Sequence, residues 1–205
     1  VMAAAGAPSG RVVEGARARE SFSMPQPIPP YLLAFAVGEL DHRELSPRTR
    51  VWGEPGVVDA AAAEFAAVDA MVTSAEQLFG AYDWERFDLL VMPPSFPYGG
   101  MENPRLTFLT PALLSGDRSQ VNVVAHELAH SWTGNLVTNA TAEHFWLNEG
   151  FTVFAERRIL AALEGEELAL LHAAIGLAAL KVAIAQRADQ PALTRLRTHL
   201  AGIDP

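Results

Sequence analysis

Two histidines one helical turn apart, in the run His126-Glu127-Leu128-Ala129-His130, and Glu149 nineteen positions further on restrict this chain more than any other feature. A helix turns once per 3.6 residues, so residues four apart stack on one face and both imidazoles can point a nitrogen at one ion. Two ligands do not enclose an ion. A carboxylate from a second segment makes three, and this imposes a condition on the fold: the segment around Glu149 has to lie against the helix that carries the histidines. Three protein ligands leave a fourth tetrahedral position open, which separates a catalytic zinc from a closed structural one. Glu127, beside the first histidine, is placed to take a proton from a water at that position.

The flanks support a helix on each side. Val121, Val123, Val124, Leu128 and Ala129 supply apolar positions that can seat the first helix in a core. Trp146-Leu147-Asn148-Glu149-Gly150 opens a second helical run over 151–163. Glu156 lies two turns past Glu149 and shares its face, where it either reaches a ligand histidine or meets solvent.

Along the rest of the chain, a proline-rich approach at 25–30 leads into an apolar run at 31–37 that reads as a buried strand ended by Gly38. Turns at Ser46-Pro47 and Glu54-Pro55-Gly56 flank a short strand at 49–52. Residues 57–79 have the content and spacing of one long helix stopped by Gly80. A strand is expected at 87–92, a proline- and glycine-rich loop at 93–104, and another strand at 106–109. The histidine helix is expected at 119–132, and helices continue from 147 to Pro191. Strands precede helices, which predicts an α+β fold rather than an alternating sheet.

Composition narrows the function classes. A chain of 205 residues, half of them apolar, can bury a sizeable core. The formal charge of −9 and the lack of any basic stripe argue against a nucleic-acid partner. There is no cysteine, hence no disulfide framework and no thiolate site. The longest apolar stretch, 168–185, contains His172, Gly176 and Lys181, and reads as a buried helix rather than a membrane span. Residues 1–8 lack a basic start and make a poor signal peptide, so a cytoplasmic protein with no membrane partner is expected.

Between the ligands, Ser131-Trp132-Thr133-Gly134-Asn135-Leu136-Val137-Thr138-Asn139 resembles the gluzincin aminopeptidases. Gly99-Gly100-Met101-Glu102-Asn103-Pro104 is similar to the exopeptidase motif of that family. Pro93-Pro94-Ser95-Phe96-Pro97-Tyr98 and His144-Phe145-Trp146 carry a closer similarity to the leukotriene-A4 hydrolase branch and its bacterial relatives. The resemblance runs from about residue 27 to 160. It implies that residues 1–47 are the end of an N-terminal β-rich domain. Residues 48–205 would then begin a thermolysin-like catalytic domain.

The resemblance also implies roles. His126, His130 and Glu149 would hold one zinc ion, with Glu127 as general base. Glu102 would bind the free α-amine of a peptide substrate through a charge-assisted contact. Gly99, Gly100 and Met101 would line the path of the peptide, the glycines because they lack Cβ atoms. Tyr98 and Phe145 are either walls of the first side-chain pocket or ordinary packing. Partners are then peptides with a free N-terminus; an epoxide hydrolase using the same zinc, or a metal-binding module without turnover, stays open, as does oligomeric state. In the family a tyrosine well downstream of the ligands stabilises the oxyanion, yet Tyr31, Tyr82 and Tyr98 all precede His126. Arg187, Arg195 and Arg197 match no motif for the substrate carboxylate. The expectation is a piece of a longer enzyme, with helices after 147 short of neighbours.

Overall fold

The structure, a computed structural model, describes residues 2–197. Its centre is a five-stranded sheet in the order β5-β6-β7-β9-β8, formed by β5 (Asp41–Ser46), β6 (Thr49–Gly53), β7 (Phe87–Val91), β8 (Gly100–Met101) and β9 (Leu106–Leu109). β5 and β6 are a hairpin turned at Pro47, so the sheet runs across the domain join expected there. β6, β7 and β9 are parallel, and β8 returns antiparallel along β9. All five residues of β7 are buried, as a central parallel strand covered on both faces requires. Strands do precede the long helices, which is the expected α+β arrangement.

One sheet face carries α1 (Val58–Glu64) and α2 (Val68–Phe79). Val51, Phe87, Leu89, Val91 and Leu109 point into this core, together with apolar residues of α3 (Val121–Ala129) and α4 (Phe145–Glu164). On the other face Leu90 and Leu106 meet Ala3 of β1 (Met2–Ala4). β1 pairs with β4 (Phe35–Val37), and an exposed hairpin of β2 (Ala7–Glu14) and β3 (Arg17–Ser23) joins them.

Several expectations need correction. The run at 31–37 is not a buried strand. Proline brings the chain in through a 3-10 turn, Pro30–Leu32, and the three-residue β4 has only β1 as a partner, so Leu33, Phe35 and Val37 are exposed. The long helix is broken at 65–67, although buried residues 58, 61, 65, 68, 72 and 75 keep one helical period across the break. At that break Glu64 is buried, and its carboxylate accepts from Ser115 Oγ, Gly116 N–H and Arg118 N–H at 2.8–3.1 Å. Arg118 also donates to the Ala63 carbonyl that the helix end leaves free. The loop at 93–104 contains β8.

The largest departure is α5 (Glu166–Ala185). It packs along α4 and, among the described residues, has Leu171, Ile175 and Leu180 exposed and Ala169 buried. It is long and apolar enough to cross a membrane by length and composition. Apolarity alone did not bury it, because among the described residues α4 is the element packed along it.

Candidate metal centre

α3 and α4 lie against each other, which is the condition the ligand spacing imposed. His126 and His130 face each other with their Nε2 atoms 3.2 Å apart. Glu149, in the first turn and a half of α4, brings its carboxylate oxygens to 3.3 Å from His126 Nε2 and 3.9 Å from His130 Nε2. Ligand bonds of 2.0–2.1 Å in a tetrahedron give donor separations of roughly 3.3 Å, so this triangle suits a zinc-sized ion.

The far side of each imidazole is held. His126 Nδ1 donates to Glu156 Oε2 at 3.1 Å, which settles the two readings of Glu156 in favour of the histidine. His130 Nδ1 donates to the Thr133 carbonyl at 3.1 Å, and the buried Thr152 Oγ1 stands 3.1 Å from the same nitrogen. A proton placed on Nδ1 leaves the Nε2 lone pair aimed at the ion position. The loop between the ligands folds back tightly. Gly134 has φ +120°, and a Cβ there would meet the Asn148 side chain and His130 Nδ1.

Glu127 and Glu102 lie deeper. Both are buried, and Glu102, Glu127 and His130 each bring one polar atom within 4.8 Å of the others. Gly100 backs directly onto Glu127: a Cβ at position 100 would overlap the Glu127 carboxylate. The physical requirement for glycine there is therefore room for a neighbouring side chain. At Gly99 a Cβ would meet only Val123 at ordinary contact distance. Asn135, in the turn after α3, donates from Nδ2 to the Glu102 carbonyl at 2.7 Å.

Gly99, Gly100, Glu102, His126, Glu127, His130 and Glu149 line one cleft of about 310 Å³. It shares Gly100, Glu102 and Glu149 with a larger, mainly apolar cavity of about 650 Å³. Tyr31, Tyr98, Met101 and Phe145 wall that cavity. Tyr98 also packs edge-on to Phe96, so it both lines the cavity and packs against a neighbour. Tyr82 is in the core, where its hydroxyl donates to the Arg86 carbonyl. Tyr31 lines the larger cavity, and Asn148 Nδ2 donates to its hydroxyl at 3.5 Å.

The charges crowd. Burial opposes the His126 imidazolium, yet hydrogen bonds to Glu149 and Glu156 and the charge of Glu127 outweigh it and push its pKa up to about 10. Burial, aided by Glu102, Glu149 and Glu156 against the pull of His126, raises the Glu127 carboxyl to about 8. Burial lowers the pKa of His130, while the His126 hydrogen bond holds Glu149 below its ordinary value. Four carboxylates around two imidazoles leave an excess of negative charge that a dication would offset.

Pattern reading of the chain missed Thr152, Asn135, Asn148 and Tyr31. Thr152 had a signal, since it lies three residues past Glu149 and so on nearly the same face of α4. The others act across turns or from the N-terminal segment, where no periodicity points to them.

The model of the peptidase family M1 domain matches residues 63–192. The chain is 51% identical to aminopeptidase B of Rattus norvegicus and 52% identical to that of Homo sapiens. Each match spans 186 residues, 90% of this chain and 29% of the relative. Among solved structures, yeast LTA4 hydrolase superposes with a TM-score of 0.84 at 42% identity, covering 91% of this chain and 29% of that one. An M1 zinc metallopeptidase of Deinococcus radiodurans, bound to a Tyr-Ser-Ala substrate, superposes with a TM-score of 0.73 at 26% identity, covering 89% and 42%. The chain thus spans under a third of the length of the curated relatives it matches. On the family match and these identities together, the chain belongs to peptidase family M1.

Proposed function

We propose that this chain carries the centre of a zinc-dependent aminopeptidase, with His126, His130 and Glu149 as the ligands of one zinc ion. The observation that carries the reading is the triangle of donors at 3.2–3.9 Å, each imidazole backed by its own acceptor. Zinc bound there supplies a Lewis acid that makes water more acidic and polarises a carbonyl.

The protein groups do the rest. Glu127, ionised once a dication offsets the crowded carboxylates around it, would take a proton from the attacking water and pass it to the departing amine. Glu102 pairs with the α-ammonium of the substrate and so determines which peptide bond reaches the ligands. β8 is the edge strand of the sheet, which suits an extended peptide laid along Gly99, Gly100 and Met101. The first side chain then enters the cavity between Tyr98 and Phe145. Substrates are peptides with a free N-terminus, in keeping with the tripeptide held by the Deinococcus relative. A cytoplasmic setting belongs to the same reading. So does a division into residues 1–47, part of a β-rich domain, and residues 48–205, part of a thermolysin-like catalytic domain, with the β5–β6 hairpin as the splice.

Metal analysis together with hydrolysis of an aminoacyl-anilide tests this. One zinc per chain is expected in the wild type and far less in His130→Ala, since two ligands cannot enclose the ion. Equal zinc in both proteins overturns the ligand assignment. N-acetylated substrate cleaved as fast as free-amine substrate overturns the role of Glu102.

A further inference from the structure

We infer that Asn135 is a positioning residue that holds the amine anchor Glu102 at its distance from the metal ligands. The inference rests on the reading of Glu102 as that anchor. Asn135 lies in the turn just past α3, five residues after His130. Its backbone N–H donates to the His130 carbonyl at 3.0 Å, and its side-chain Nδ2 donates to the Glu102 carbonyl, 33 residues away, at 2.7 Å. One buried residue therefore ties the end of the ligand helix to the backbone of the anchor. Among the described residues nothing partners the buried Asn135 Oδ1, so the bond to Glu102 is the side-chain hydrogen bond they offer this amide.

The remaining restraints on the anchor explain why such a tie matters. β8 pairs with β9 over two residues only. The close approach of Gly100 to Glu127 prevents the loop from moving inward, but a steric contact does nothing against outward movement. Thr110 N–H holds the Gly99 carbonyl at 3.0 Å and Leu106 N–H holds the Asn103 carbonyl at 3.1 Å, and Asn135 adds the tie at Glu102 itself. Consecutive Cα atoms are 3.8 Å apart, so a drift of about 1 Å is a sizeable part of the step from the amine to the bond that is cut. Misplacement by that much typically costs on the order of 10²-fold in rate.

The test uses the zinc-loaded protein carrying Asn135→Asp, which keeps the shape but replaces the donor, and Asn135→Ala, which removes the side chain. Both leave the backbone bond to His130 in place. Zinc per chain, melting temperature, kcat and KM are measured on matched free-amine and N-acetylated aminoacyl-anilides. The expected result is unchanged zinc content and a KM for the free-amine substrate raised about tenfold in both variants, the usual scale for a lost buried hydrogen bond. The preference for free over acetylated substrate falls by a similar factor, with kcat changed less than KM. A KM and a preference within about twofold of wild type in either folded, zinc-loaded variant overturns the inference. Loss of zinc from both variants also overturns it, because the residue then serves the ligand helix rather than the anchor. Wild type without any preference for the free amine refutes the Glu102 reading instead, so the two failures are told apart.

Discussion

α3 and α5 differ in length, composition and surroundings. α3 has nine residues, and six are buried, among them the carboxylate-bearing Glu127. α5 has 20 residues, including an 18-residue window of mean hydropathy 2.1, yet only 6% of that window is buried. Beside the buried Glu127, the half-buried His126 and the buried His130 that caps the short helix have partners waiting for them: Glu156 for His126, the Thr133 carbonyl and Thr152 for His130. Apolar groups of the long helix are outside because, among the described residues, α4 is the element packed against it. Burial follows what is available to pack or pair with, and composition by itself does not decide it.

If the buried polar residues of α3 are functional rather than a packing accident, the largest effect belongs to Glu127→Gln. It keeps the shape and loses the base, and turnover should fall by about 10²–10⁴-fold with zinc retained. Steady-state hydrolysis beside metal analysis checks this, and near-normal turnover breaks the comparison. Gly100→Ala acts from the opposite side, by pushing a methyl group into the Glu127 carboxylate. A loss on the order of 10²-fold in kcat/KM is expected from the displaced base, with the melting temperature little changed. Glu156→Gln reads the support behind His126. Zinc affinity, measured by competition with a chromogenic chelator, should weaken about 10- to 100-fold.

A pH series sharpens the same contrast. In metal-stripped protein the folded-state pKa of His126 is raised from 6.5 to about 10, so its contribution to stability is full below pH 6.5 and is lost as pH rises toward 10. Glu127, raised from 4.5 to about 8, likewise favours the fold below pH 4.5 and loses that contribution as pH rises through 8. The melting temperature of stripped protein should therefore fall between pH 6.5 and 9. Zinc binding at pH 7 should release at least one proton, which calorimetry in buffers of different ionisation enthalpy detects. A flat melting profile with no proton release sinks this account. The smallest effect is expected on α5. Ile175→Lys with Leu180→Lys should change folding stability by no more than about 0.5 kcal/mol per site while reducing self-association in sedimentation. Severe destabilisation would mean that α5 is covered after all.

The meeting of His126, His130 and Glu149 was legible because it depends on local geometry: four residues of helix stack two histidines, and a distal carboxylate demands a second helix beside the first. β6, β7 and β9 were legible because short apolar runs lay between turn residues. The break between α1 and α2 was not, since the apolar period continues through it and Glu64, at the break, answers to a hydroxyl and two amides more than 50 residues away. β8 was hidden in a loop by its two-residue length. The close approach of Glu127 to Gly100 also left no trace in the sequence, where the glycine pointed only to a path for a peptide. Asn135, Asn148 and Tyr31 act through single long-range contacts, which leave no repeating pattern in a sequence.

The contact between Glu64 and the loop before α3 also gives assembly of the protein an order in time. On a chain made from its N-terminus, the end of α1 appears 51–54 residues before the groups that receive its carboxylate. Until they arrive, Glu64 is a charge on a face otherwise destined for the interior, and α1 has reason to stay loosely docked. Closing so long a loop carries an entropic cost that the new hydrogen bonds must first overcome. The stretch that delivers those groups, 115–118, leads directly into the histidine helix. Completion of the early core and arrival of the first ligands thus become one event, and a ribosome-bound chain ending before that loop holds neither.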